Sequence, residues 1–208
     1  KGKNMAYSIE EEQEINQLKD WWKENGKTII VAFILGVGGM FGWRYWQAHQ
    51  AEQIAQASAQ YDALIYSAQQ DEQAKKANIE QFVQANSKTA YAVFALLDEA
   101  KKETEKQDFA AAEANLNQAL TQSQDEVLTS IVALRLSAVQ FQLGQLDNAL
   151  TSLNQVKGES FNARKAILTG DIQVAKGDKV AAKNSFEQAQ QSGSQLEQQM
   201  AKMKLNNL

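Results

Sequence analysis

The sequence predicts an all-α fold in which one membrane-spanning helix precedes an array of helical hairpins. Three observations carry that expectation. The 208 residues contain no proline and no cysteine, and Ala, Gln, Leu, Glu and Lys are abundant, so helix is favoured almost everywhere. An uncharged run, Thr28 to Trp43, has the composition of a membrane segment. Beyond it, small and large apolar residues recur at helical spacing with a period of about 34 residues.

Composition bounds the function as well. The apolar share of 44% is enough for a real core. Charges of both signs are scattered along the chain and the formal net charge is −4, so no basic block offers itself to nucleic acid. The lack of cysteine removes disulfides and thiolate chemistry but is compatible with either a reducing or an oxidising compartment.

Lys1 to Asn4, ahead of Met5, are set aside as an expression scar or an alternative start. In the tail, residues 1–27, Ile15, Leu18 and Trp22 share a stripe opposite Glu11, Glu12 and Glu14. This predicts a short amphipathic helix on the cytoplasmic membrane face, ended by Asn25-Gly26. Residues 28–46 form the span: Ile29 to Trp46 covers roughly 27 Å at 1.5 Å per residue, near the hydrocarbon thickness once Arg44 snorkels outward. Trp21 and Trp22 on one side, with Trp43, Tyr45 and Trp46 on the other, supply two interfacial aromatic belts. A buried core helix is the alternative, but it would rarely carry five aromatics at its ends and four glycines inside.

Lys19, Lys23 and Lys27 precede the span and only Arg44 follows it closely, which predicts a cytoplasmic N-terminus. Residues 47–208 are then periplasmic, anchored in the inner membrane of a bacterial cell. A cleaved signal peptide competes, since Ala55-Gln56-Ala57 has the A-x-A form, but that site lies past Arg44, Trp46 and Glu52 and far beyond the apolar run. Within the span Ala32-x-x-x-Gly36 and Gly38-x-x-x-Gly42, with Trp43 and Arg44 at the exit, are the candidate contacts for another membrane helix. The same glycines fail as a dinucleotide motif, because Phe41 stands where the third glycine belongs.

After the span, Ile54, Ala57, Tyr61, Leu64, Ile65 and Ala68 make one apolar stripe, and Ile79, Phe82 and Val83 mark a shorter helix ending near Asn86. Whether the first of these continues the span or breaks near His49 is open from sequence. The repeats follow. Ala112, Leu116 and Ala119 recur as Ala149, Leu153 and Val156 and again as Ala182, Phe186 and Ala189, spaced 37 and 33 residues apart. Each set follows a turn at Gln107, Gly144 or Gly177, and seven residues before each turn stands a small residue, Ala100, Ser137 or Gly170. A small residue on one helix and alanines on the next let an antiparallel pair approach closely, with the large residue filling the groove between them. These are tetratricopeptide offsets, although the large residue expected before the small one is Glu99, Leu136 or Thr169 and the terminal proline is missing. Ser194 to Leu205 predicts a last helix, with Leu196, Met200 and Met203 on the side suited to cap the array.

No catalytic constellation is evident. His49 is the only histidine, no phosphate loop or nucleophile motif occurs, and neither a metal nor an organic cofactor is expected. Arg135, Gln140, Arg164 and Gln173 are the candidates for the concave face on which repeat arrays bind partners.

Several stretches resemble the YfgM family, ancillary subunits of the bacterial SecYEG translocon. They are Glu24-Asn25-Gly26-Lys27, Leu35-Gly36-Val37-Gly38, Gly42-Trp43-Arg44-Tyr45-Trp46 with His49, Leu134-Arg135-Leu136 with Gln140, Lys176-Gly177-Asp178, and the closing Met203-Lys204-Leu205-Asn206-Asn207-Leu208. The resemblance implies a non-enzymatic inner-membrane protein that associates with SecYEG and with PpiD, a membrane-anchored periplasmic chaperone, to assist newly translocated clients. The rival expectation is a membrane-tethered envelope scaffold that binds a folded partner and has no part in secretion.

Overall fold

The computed structural model describes residues 9–66 and 71–208, and the tail's first eight residues and Ala68 of the apolar stripe lie outside them. Among the described residues every regular element is helical. The chain divides between Ala55 and Gln56 into two units.

The first unit is built on α1 (Ile9–Tyr66), which continues into the second. The stop expected at Asn25-Gly26 does not occur. The Asn25 side-chain amide donates to the Trp21 carbonyl at 3.0 Å and the Trp22 ring covers Gly26, so the turn stays closed. A glycine inside a helix costs only about 1 kcal/mol, too little to end one whose neighbours all favour helix. The helix likewise passes His49 unbroken. It is long and apolar enough to cross a membrane. Phe33 and Leu35 are each 70% exposed and Phe41 61%, which rules out the buried core helix: the apolar surface points outward all round. Nothing lies within 4 Å of a Cβ built on Gly36, Gly38 or Gly42, leaving that face open.

The second unit starts with the end of α1, where Ala57 is buried and Tyr61 packs among Phe82, Tyr91 and Phe94. Then come α2 (Glu72–Ala85) and three hairpins: α3 (Ala90–Glu105) with α4 (Phe109–Gln122), α5 (Glu126–Gln142) with α6 (Leu146–Leu153), and α7 (Asn162–Ala175) with α8 (Lys179–Ser192). The last helix is α9 (Gln195–Asn206).

Each hairpin turns by the same device. Gln107, Gly144 and Gly177 have φ of 63°, 73° and 82°, the left-handed conformation that ends a helix. The next N–H reaches back to close the helix, Asp108 to the Glu103 carbonyl, Gln145 to Gln140 and Asp178 to Gln173, at 2.8–2.9 Å. Asp108 and Asp178 then cap the second helix by accepting from the Ala111 and Ala181 N–H groups. Gln145 makes no such cap and instead donates to Glu113.

Ala100, Ser137 and Gly170 are all buried, as are Ala112, Leu116 and Ala119, Ala149 and Leu153, and Ala182, Phe186 and Ala189. At Gly170 a Cβ would stand 2.4 Å from the Phe186 ring, so only glycine admits this approach. Val156 is buried too, but α6 ends at Leu153 and Val156 packs from the loop beyond it. The last helix differs from expectation. Its inward residue is Ala201, fully buried, whereas Leu196, Met200 and Met203 are exposed. Periodicity identified the apolar stripe but not the direction it faces, and the small residue is what allows α9 to lie close to α7 and α8.

Candidate functional site

In each hairpin the first helix contributes to a common face, and α3, α5 and α7 together line a continuous groove. One part, of about 330 Å³, lies between α3 and α5 with walls of Leu97, Leu116, Ala138 and Val139. The other, about 530 Å³, lies between α5 and α7 with Ile131, Leu134, Phe161 and Leu168. Arg135 and Ala138 border both parts, so the two are joined across α5.

The charges along this groove are unevenly neutralised. Lys101 lies 3.9 Å from Glu105, and Asp171 is paired with Lys204 at 2.6 Å. Arg164 stands at a long 3.9 Å from Glu197. Glu197 is committed elsewhere: its carboxylate accepts from the Ser194 hydroxyl at 2.7 Å and the Ser194 N–H at 2.9 Å, which holds its pKa below the ordinary range. Arg135 has no ion-pair or hydrogen-bond partner among the described residues. A guanidinium fixed on a helix between two apolar pockets can donate up to five hydrogen bonds to an acidic or carbonyl-rich segment while flanking side chains fill the pockets.

The structure brings two of the four expected groove residues together and places two elsewhere. Arg135 and Arg164 line the groove. Gln140 is buried between helices, donating to Glu113 at 3.1 Å and accepting from Ser152 at 2.7 Å. Gln173 is half-buried and accepts from Ser185, also at 2.7 Å. The reason is angular: at 100° per residue, Gln140 lies about 140° round α5 from Arg135, and Gln173 about 180° round α7 from Arg164. The two glutamines are one recurring device, because Ser152–Gln140 and Ser185–Gln173 tie first to second helix at equivalent positions one repeat apart.

Sequence reasoning missed Ile131, Ala138 and Leu168. They were legible in principle as the neighbours of Arg135 and Arg164 three and four residues away on the same face. No group of residues that could hold a metal occurs among the described residues. The span candidates Ala32, Gly36, Gly38, Gly42, Trp43 and Arg44 all lie on α1, the last two at the end of the apolar run where the Trp43 and Trp46 rings meet at 5.2 Å.

The tetratricopeptide repeat-like domain family matches residues 19–208. Among curated proteins, the chain is 96% identical to an ancillary SecYEG translocon subunit of Haemophilus influenzae, over 98% of this chain and 100% of that one. It is 53% identical to the protein of that name in Aggregatibacter actinomycetemcomitans, over 98% and 100% of the two chains. It is 36% identical to that in Escherichia coli, over 95% and 96%. No solved structure matches. Full-length likeness at this level joins span and repeats in one inheritance, and the chain belongs to the family of ancillary SecYEG translocon subunits.

Proposed function

We propose that this chain is a non-enzymatic accessory subunit of the Sec translocon, anchored by residues 28–46 with its N-terminus in the cytoplasm and its repeats in the periplasm. Lys19, Lys23 and Lys27 ahead of the span, against Arg44 alone close behind it, support that orientation. In this reading the open glycine face of α1 pairs with a membrane helix of the translocon or of a PpiD-like chaperone. The groove along α3, α5 and α7 receives a segment of that chaperone or of an emerging client. The observation that carries the reading is the groove itself, two apolar pockets joined at the unpaired cation of Arg135 in a chain whose relatives are named as translocon subunits.

Replacing residues 28–46 by an unrelated membrane helix tests the anchor's part. The expected result is that SecYEG and the PpiD-like chaperone co-purify with the native chain from detergent-solubilised membranes and are lost or strongly depleted with the replacement. Undiminished recovery would reduce the span to a tether and move the contact to the repeats, whereas recovery of neither partner with the native chain would favour the envelope-scaffold alternative.

A further inference from the structure

The groove does not stop at α3. A third pocket, of about 400 Å³, lies between α3, α2 and the end of α1, with walls of Tyr61, Leu64 and Ile65 from α1, Ile79 from α2 and Ala95 from α3. Lys101 and Glu105 line both this pocket and the one between α3 and α5, just as Arg135 and Ala138 line both pockets beside α5. The two borders occupy one place in the repeat: Lys101 directly follows the small residue Ala100, and Ala138 directly follows Ser137. Three pockets therefore stand in a row, each divided from the next by one first helix. Each dividing helix carries an exposed cation, Lys101 on α3 and Arg135 on α5.

The uncommitted charge along this row is positive, in a chain whose net charge is −4. Arg135 has no partner among the described residues. Lys101 stands 3.9 Å from Glu105 with both side chains well exposed, a pairing worth little in water. Arg164, at the far end, has only the long contact to a Glu197 already held by Ser194. The other carboxylates are better occupied. Asp171 is paired with Lys204, Glu99 accepts from Lys102 at 2.5 Å, and Asp98 accepts from the Tyr61 hydroxyl at 2.6 Å.

Spacing adds to charge. Packed helices lie about 8–10 Å apart, so neighbouring pockets are separated by roughly that distance. A chain in the polyproline II conformation rises about 3.1 Å per residue with three residues per turn, so residues i, i+3 and i+6 share one side at that interval. Resting on the reading that this groove receives a polypeptide, we propose that its occupant is an extended acidic segment with an apolar residue at every third position. The apolar residues fill the three pockets, and the carboxylates between them meet Lys101 and Arg135. The end of α1 is thereby a wall of the binding site.

Fluorescence anisotropy on the full chain in phosphatidylcholine nanodiscs tests this with a labelled peptide, Leu-Asp-Glu-Leu-Asp-Glu-Leu, and a twin in which lysine replaces every Asp and Glu. The acidic peptide is expected to bind about tenfold more tightly than the twin, and Arg135→Glu should invert that order. Ile65→Ser, at a half-exposed wall of the third pocket, should weaken the acidic peptide about fivefold while the melting curve stays unchanged. Equal binding of the two peptides that Ala138→Glu abolishes would overturn the acidic occupant and leave the groove as a general polypeptide site. Indifference to Ile65→Ser would overturn the three-pocket row. Tighter binding by the same residues reordered with leucine at positions one, four and five would also overturn the proposal, in favour of a helical occupant. Binding of neither peptide at millimolar concentration would overturn it outright, and cross-linking from Ala138 would still judge the groove independently.

Discussion

At the scale of single residues, the small positions decide how close the helices come. Glycine inside a helix is ordinarily about 0.5–1 kcal/mol worse than alanine. At Gly170 the sign reverses, because the added Cβ would stand 2.4–2.7 Å from the ring of Phe186, itself only 1% exposed and unable to swing away. Gly170→Ala should lower stability by about 1–3 kcal/mol, read from urea unfolding of the full chain. Gln107 is the opposite case, since it takes at φ 63° the left-handed turn that Gly144 and Gly177 take in the later hairpins. The left-handed conformation costs a side chain roughly 1–2 kcal/mol, and the extra chain entropy of glycine offsets about half of that. Gln107→Gly should therefore raise stability by about 0.5–1 kcal/mol in the same unfolding experiment. Both positions were legible in the sequence through the repeat offsets alone, because the turn and the small residue keep their spacing even when the residue type changes.

Among the helices, the less legible features were those where a polar or apolar residue serves the unexpected face. Gln140 and Gln173 are expected on the concave face because repeat arrays bind partners there, yet each accepts a serine hydroxyl from the second helix of its own hairpin. A residue pattern shows polarity, whereas the partner that makes burial tolerable comes from a helix twelve residues further on. The extent of α1 was missed for a related reason: Asn25-Gly26 is a stop signal only where the helix has nothing better to do, and here Trp21 and Trp22 close around it. The attachment of α9 carries a pH dependence. The hydroxyl of Ser194, and then its N–H, hold the Glu197 carboxyl below the usual carboxylate range. The capping contribution is thus complete above the ordinary glutamate pKa and is lost as the pH falls through the lower folded value. Thermal unfolding should show an acid-side loss of stability that Glu197→Gln makes shallower. A profile unchanged by Glu197→Gln would place the acid sensitivity elsewhere.

For the molecule as a whole, the sequence was most informative where a physical pattern spans many residues. The uncharged run and its aromatic ends marked the helix long and apolar enough to cross a membrane, and the recurrence of small and large residues marked the hairpins. The groove was only half legible, because its walls come from helices more than thirty residues apart and only packing shows that Ile131, Ala138 and Leu168 face the same space. That groove is the heart of the functional account. Photo-cross-linking in native membranes, with the reactive group at Ala138 in the groove and at the exposed Lys183 of α8 as a comparison, tests it most directly. Adducts with a periplasmic chaperone or a translocating chain are expected from Ala138, few or none from Lys183, with a marked reduction at Ala138 when Arg135→Glu is introduced. Equal adducts from both positions, or none from Ala138 while SecYEG still co-purifies, would contradict it.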